Sequence, residues 1–293
     1  MHNTSITIFT PTYNRASYLI KLYESLCSQT DKDFEWLIID DGSEDQTEQV
    51  LQTLQNENKI NIRYYKVENG GKHRAINKGV NLCNTELFFI VDSDDYLTSD
   101  AIEIIKQRWS EVKDKEEFCG ISGLRKFPDG KIIAQLKDFQ ILDLNGIEIK
   151  SFVDGDKAEV FKTEILKQFP FPEFENEKFI SESLVWYRIA QKYKFRYFST
   201  PIYVTEYLPS GLTRNISKIH RLSPKGSMIL YKERIKYEKR TLLKIKGAIN
   251  YWRSTINFKG SRPESLKLEG IWNLFYIFGL FFYIIDLIRE NKN

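Results

Sequence analysis

The sequence predicts an α/β fold: a mostly parallel, Rossmann-like sheet flanked by helices, with a helical extension at the C-terminal end. Three observations lead there. Strand, loop and helix signatures alternate three times in the first hundred residues, and a fourth strand follows, the pattern of a parallel sheet covered on both faces. That fourth strand, Leu87-Phe88-Phe89-Ile90-Val91, is apolar at five consecutive positions, as expected of a strand buried on both sides. After Thr213 the composition turns basic and then aromatic.

The elements follow in order. Ile6-Thr7-Ile8-Phe9 reads as a strand, Thr10-Pro11-Thr12-Tyr13-Asn14-Arg15 as a loop, and Leu19, Leu22, Tyr23 and Leu26 as the inner stripe of a helix. Trp36-Leu37-Ile38-Ile39 is a second strand, ended by Asp40-Asp41-Gly42-Ser43 and followed by a polar helix carrying Val50, Leu51 and Leu54. Ile62-Arg63-Tyr64-Tyr65 leads to Asn69-Gly70-Gly71-Lys72 and a helix from about Arg74 to Cys83. The carboxyl ends of four parallel strands open at one sheet edge, so their polar loops are expected to meet there. Residues 118–207 read as mixed short strands and helices, with turns at Asp129-Gly130 and Asn145-Gly146.

At 293 residues the chain is long enough for one large domain, or one domain and an extension. Its net charge of +3 does not by itself argue for nucleic acid. Three scattered cysteines, Cys27, Cys83 and Cys119, and three histidines disfavour disulfides and structural zinc and fit a reducing compartment. No leader is recognisable at the start, so a cytoplasmic protein is expected. Residues 231–267 hold eleven Lys or Arg against three Glu, and residues 271–288 are nearly all apolar. Three readings compete for that tail: an interfacial helix, a short spanning helix, or a helix packed on its own domain. The basic approach to an aromatic stretch favours attachment to an anionic lipid surface through 231–288.

The chemistry is concentrated in Asp92-Ser93-Asp94-Asp95, straight after the fourth strand. Clustered like charges need a cation, and hard carboxylate oxygens suit Mg²⁺ or Mn²⁺. The bland alternative is that Ser93 or Asp95 caps a helix starting near Thr98. Asp40 or Asp41 can accept hydrogen bonds from a base or a ribose, or simply form a turn with Ser43 and Asp45 starting the next helix. Tyr13 can stack on a base or pack under its loop. Gly70-Gly71-Lys72-His73-Arg74 resembles a phosphate cradle, but lacks the ending of a Walker loop.

Taken in order, Thr10-Pro11-Thr12-Tyr13-Asn14-Arg15, Asp40-Asp41-Gly42-Ser43, Asn69-Gly70-Gly71 with Ala75 and Asn77-Lys78-Gly79, and Asp92-Ser93-Asp94-Asp95 resemble the motifs of family 2 glycosyltransferases. The resemblance covers residues 5–213 and implies the GT-A fold. It would divide the chain into a catalytic domain at 1–215, with a nucleotide-sugar half (1–98) and an acceptor half (99–215), and a basic, aromatic extension at 216–293. It implies inverting transfer of a sugar from a nucleotide diphosphate sugar, a UDP-sugar above all, with Mn²⁺ or Mg²⁺. Thr10, Pro11, Tyr13 and Arg15 would line the nucleotide, Asp40 or Asp41 would meet the base, Asp92 the ribose or sugar, and Asp94 the metal. The family's arginine between Ala and Asn is Ile76 here, which leaves the diphosphate to Lys72, His73, Arg74 or the metal.

Inversion needs a carboxylate opposite the leaving diphosphate. Phe179-Ile180-Ser181-Glu182 through Arg188 resembles the family's E-D-x-x-x-x-x-R helix, with Ser181 in place of the first acid; Glu182 is the expected base and Glu177 the fallback. Asp156-Lys157-Ala158-Glu159 resembles an acceptor-side segment of capsule and exopolysaccharide members, so Asp156 and Glu159 are candidate acceptor contacts. The partners implied are a nucleotide-sugar donor and a glycan or polyprenyl-linked acceptor at the inner face of the cell membrane. The alternatives are a sugar nucleotidyltransferase, disfavoured because residues 10–15 contain no glycine, and a non-catalytic GT-A-like scaffold subunit, disfavoured by the retained acids. Nucleic-acid binding through the basic segment is the weakest reading.

Overall fold

Alternation along the first strand decides how the sheet is covered. In the computed structural model, which describes residues 5–136, 139–206, 216–256, 258–260 and 262–290, this strand is β1 (Ile6–Thr12). Its odd and even side chains face opposite ways. Ile6 and Ile8 join one buried cluster with Leu19, Leu22 and Leu26 of α1 (Ala16–Cys27) and Leu51 and Leu54 of α2 (Thr47–Asn56). Phe9 points the other way, against Gly79 of α3 (Lys72–Leu82). A Cβ on Gly79 would stand 2.2 Å from the Phe9 ring, so the missing side chain is what lets α3 lie this close to the sheet.

β2 (Phe34–Asp40) and β4 (Leu87–Ile90) flank β1 in parallel, and β3 (Ile62–Lys66) adds to β2. The loop expected at residues 10–15 begins later than its sequence suggests, because β1 continues through Thr10 and Pro11 and pairs Thr12 with Asp40. Pro11 is tolerated since β4 pairs with β1 only as far as Phe9, leaving that side of the strand without a neighbour. Beyond β4 come β5 (Tyr96–Leu97), α4 (Ala101–Ser110), β6 (Phe118–Lys126), β7 (Gln135–Leu136), β8 (Ile141–Leu144), β9 (Val153–Asp154), β10 (Lys157–Lys162), α5 (Thr163–Lys167) and β11 (Lys194–Val204). The main sheet runs β3-β2-β1-β4-β10-β6-β11-β5, with β8 also on β11. β10 is antiparallel to both β4 and β6, so the parallel half ends where the acidic tetrad begins. Cys83 and Cys119 are buried, and all three cysteines are free thiols.

The chain divides into two units: Met1–Pro170 with Lys192–Tyr207, which holds the sheet, and Phe171–Gln191 with Leu208–Asn293, which is helical. The expected domain boundary at residue 215 lies outside the described residues. The second unit contains α6 (Ser183–Ile189), α7 (Ile216–Leu222), α8 (Pro224–Tyr237), α9 (Thr241–Thr255) and α10 (Tyr276–Glu290), the last preceded by a 3-10 turn at Gly270–Phe275. α8 opens on Pro224, where a missing N–H costs nothing. Met228, Tyr231, Ile235, Ala248 and Tyr251 are buried among these helices. Arg188 of α6 forks onto Glu233 of α8 at 2.6 and 2.9 Å.

Candidate active site

Four polar loops leave the carboxyl ends of β1 to β4, and hydrogen bonds tie them together. The Asn14 N–H donates to Ser43 Oγ at 2.8 Å, and the Glu44 N–H returns to Asn14 Oδ1 at 2.8 Å. Asp41 accepts the Gly70 and Gly71 N–H groups at 2.7 and 2.8 Å. Gly42 sits at φ +80°, where a Cβ would come within 2.9 Å of the Asn69 nitrogen, so glycine is required to bring these two loops together. The amides of the glycine pair are therefore engaged by an internal carboxylate rather than arranged as a phosphate cradle. Asp40 is fully buried, taking the Ser43 N–H on one oxygen and the Tyr64 hydroxyl on the other, at 2.8 and 2.9 Å.

The acidic tetrad lies beside these loops, and three cations from different elements face it. Lys72 Nζ, at the start of α3, is 2.5 Å from Asp92. Arg15 reaches Asp94 at 3.9 Å, and Arg125, from the end of β6, reaches Asp95 at 3.8 Å. Burial opposes the charge on Asp92, but Lys72, Arg125 and Arg15 outweigh it and hold the carboxyl low. Asp94 is pushed up by burial and by the charge of Asp92, with Arg15 pulling against both. Among the described residues no three His, Cys, Asp or Glu side chains gather as a metal cage. Asp92 and Asp94 form instead a pair of mutually repelling carboxylates, the donor set that suits a hard cation sharing its remaining positions with a phosphate.

Asp95 does not cap a helix. α4 begins at Ala101, and the Asp95 carboxylate turns to β11, accepting the Tyr203 hydroxyl at 2.8 Å and the Glu206 N–H at 3.2 Å. Burial, then the charge of Asp92, push its carboxyl up to about 7 against the pull of Arg125 and Tyr203. Arg125 stacks 4.1 Å over the Tyr203 ring and donates Nε–H to the Lys157 carbonyl at 2.8 Å. Arg125 and Tyr203 escape sequence reasoning; a lone arginine closing the apolar run of β6 is the only hint the sequence offers.

The remaining predicted residues are placed as follows. Thr10 and Pro11 are buried inside β1, and Thr10 Oγ1 accepts the Trp36 indole N–H at 2.9 Å. Tyr13 is 46 % exposed at the loop tip. His73 is buried, Arg74 donates to the Gly70 carbonyl, and Lys72 reaches the tetrad at Asp92. Asp156 is exposed; Glu159 is half-buried on β10, its carboxyl pushed up by burial despite Lys157 and Arg125. Glu177 and Glu182 belong to the second unit. Glu177 is committed to the start of α8, accepting the Lys225 and Gly226 N–H groups at 2.8 and 2.9 Å. Glu182 is half-buried and immediately precedes α6, its carbonyl accepting the Val185 and Trp186 N–H groups.

The chain is similar to several known proteins. A chondroitin synthase of Pasteurella multocida is 35 % identical over 130 residues, 44 % of this chain and 13 % of that protein. A GalNAc(5)-diNAcBac-PP-undecaprenol beta-1,3-glucosyltransferase of Campylobacter jejuni is 29 % identical over 210 residues, 65 % of this chain and 61 % of that protein. The chain thus spans only part of the length of the curated relatives it matches. The structure of S. aureus TarS 1-349 in complex with UDP-GlcNAc superposes with a TM-score of 0.62 at 20 % identity, covering 96 % of this chain and 80 % of that one. The fold is GT-A. Residues 7–116, which contain all four polar loops, match the family described as Glycosyl transferase family 2.

Proposed function

We propose that the protein is an inverting glycosyltransferase that moves a sugar from a UDP-sugar to a hydroxyl of a glycan or lipid-linked acceptor in surface polysaccharide synthesis. The observation that carries this is the meeting of the four loops at one sheet edge, with Asp92 and Asp94 facing Lys72 and Arg15. Such an edge can hold a nucleotide on one side and a diphosphate on the other. The likeness to a glucosyltransferase named for an undecaprenol diphosphate-linked glycan supports the acceptor class, and the UDP-GlcNAc complex of TarS supports the donor class.

In this reading Asp94, with Asp92 beside it, would hold Mn²⁺ or Mg²⁺, which when bound supplies Lewis-acid stabilisation of the leaving diphosphate. Lys72 and Arg15 neutralise the carboxylates before the donor arrives and would turn to its phosphates afterwards. Tyr13 offers an exposed ring to the base. Asp41 braces the base-side loop. Glu182 takes the proton of the acceptor hydroxyl, an assignment that rests on the motif of residues 179–188. Asp156 and Glu159 are the acceptor-side contacts. Work at the cytoplasmic face of the membrane, with contact through residues 231–288, would bring the enzyme to a polyprenyl-linked acceptor.

Calorimetric titration with UDP, GDP and TDP, each with and without Mn²⁺, tests the reading. Metal-dependent binding of UDP is expected. Absence of binding by all three diphosphates would return the chain to the class of non-catalytic scaffolds.

A further inference from the structure

Between Ile271 and Ile288 the sequence contains one charged residue, Asp286. The structure turns it inward. Its carboxylate accepts Nε and Nη2 of Arg253 at 2.7 and 2.5 Å, and Nη1 of Arg221 at 2.8 Å. Arg221 also pairs with Glu290. Two arginines from α9 and α7 are thus matched by two carboxylates of α10, and the cluster is neutral. Gly279, Tyr283 and Asp286 form the buried stripe of α10, at the spacing of one helix face. A Cβ on Gly279 would lie 2.4 Å from the Trp252 Cβ, so α10 is seated closely on α9.

The opposite stripe faces solvent. Ile277 is 72 % exposed, and Phe278, Phe281, Ile284 and Ile288 continue the surface, which Leu274 of the preceding turn extends. This face contains no charge over its whole length, and a patch of this kind marks an interaction site.

We infer that the outer face of α10 is a lipid-binding surface that lies in the plane of an anionic leaflet without crossing it. This deepens the reading of a lipid-linked acceptor, on which it rests for its purpose. Charge selects the occupant: residues 231–267 of the same unit carry a net charge of +8, with Lys239, Arg240, Lys246 and Lys259 exposed. Anionic lipid complements that charge, whereas a second copy of the chain would bring the same charge against it. Aromatic side chains on an apolar helix face are suited to the boundary between headgroups and acyl chains. By length and composition Gly270–Glu290 is able to cross a bilayer. Two features oppose crossing. The regular helix has 15 residues, about 22 Å against a hydrocarbon core of about 30 Å. Crossing would also strip Asp286 from Arg221 and Arg253 and leave three charges unmatched.

The test is flotation of the full chain with phosphatidylcholine vesicles, with and without phosphatidylglycerol, over a range of salt. Binding to the anionic vesicles alone, at least tenfold weaker at high salt, is expected. A variant with Ile277→Asp and Phe281→Asp should lose at least tenfold in vesicle binding while its helical circular dichroism and UDP titration match the parent. Because flotation is read without nucleotide, failure of the donor reading and failure of the lipid reading give different results. Wild-type protein that stays off anionic vesicles at low salt, or a variant that floats like the parent, would overturn the inference. So would self-association that the double substitution abolishes in the absence of vesicles. Release of bound protein by alkaline carbonate supports the in-plane mode, and resistance to it refutes that mode.

Discussion

The Tyr203 hydroxyl donates to Asp95 Oδ2 at 2.8 Å while accepting the backbone N–H of Asp92 at 3.0 Å, so one phenol from β11 holds both ends of the acidic tetrad. Tyr203→Phe keeps the ring under Arg125 but strands a buried donor and a buried acceptor. The expected loss is about 1–3 kcal/mol in urea unfolding. Metal-dependent UDP affinity should fall with it, since the tetrad is no longer held; unchanged affinity would show that the hydroxyl serves stability alone.

Asp94 and Glu182 are predicted to fail in different ways. Asp94→Ala should weaken Mn²⁺-dependent UDP binding and lower turnover by orders of magnitude. Glu182→Gln should leave UDP binding intact and lower kcat by about 10²- to 10⁴-fold. Calorimetry beside a UDP-release assay separates the two. Normal donor turnover in Asp94→Ala would reject the metal role, and normal transfer in Glu182→Gln would move the base elsewhere.

Gly79→Ala should destabilise the first unit by about 1–3 kcal/mol through overpacking against Phe9. Phe9→Leu in the same chain should recover part of that loss. A double-mutant cycle in urea measures the coupling, and strict additivity would mean the helix simply shifts away.

His220 is buried against Phe179 and Tyr231, bonded to Ser227 at 2.9 Å, and faces the positive charge of Arg253. Burial, then Arg253, lower it from its ordinary 6.5 to about 4. Between those values the unfolded chain binds the extra proton, so stability is complete above about pH 6.5 and declines as pH falls toward 4. The full contribution is about 3 kcal/mol. His220→Gln should remove this part of the acid slope when unfolding is followed from pH 7.5 to 4.5; an identical slope in both proteins would discard the assignment.

The strands and polar loops of the parallel half are legible in the sequence because their signals are local: an apolar run, then turn residues, then a helical stripe. Pro11 misleads, since its exclusion from strands depends on which neighbours the strand has, and β4 stops at Phe9. The role of Asp95 is illegible for a different reason. Its partners Arg125 and Tyr203 stand 30 and 108 positions away, and nothing between them announces the pairing. Asp92 and Asp94 are recognisable as a pair of acids, whereas the cations that face them come from three separate elements. In the tail, composition reveals an apolar helix, but only folding reveals that Asp286 points inward to two arginines.

The bonds from the Gly70 and Gly71 amides to Asp41 bear on the thermodynamics of donor recognition. A segment already closed on an internal carboxylate has surrendered its backbone freedom during folding. Little ordering is then left for the encounter with nucleotide. Those two amides should exchange slowly with deuterated solvent before any ligand is added, and their protection should change little afterwards.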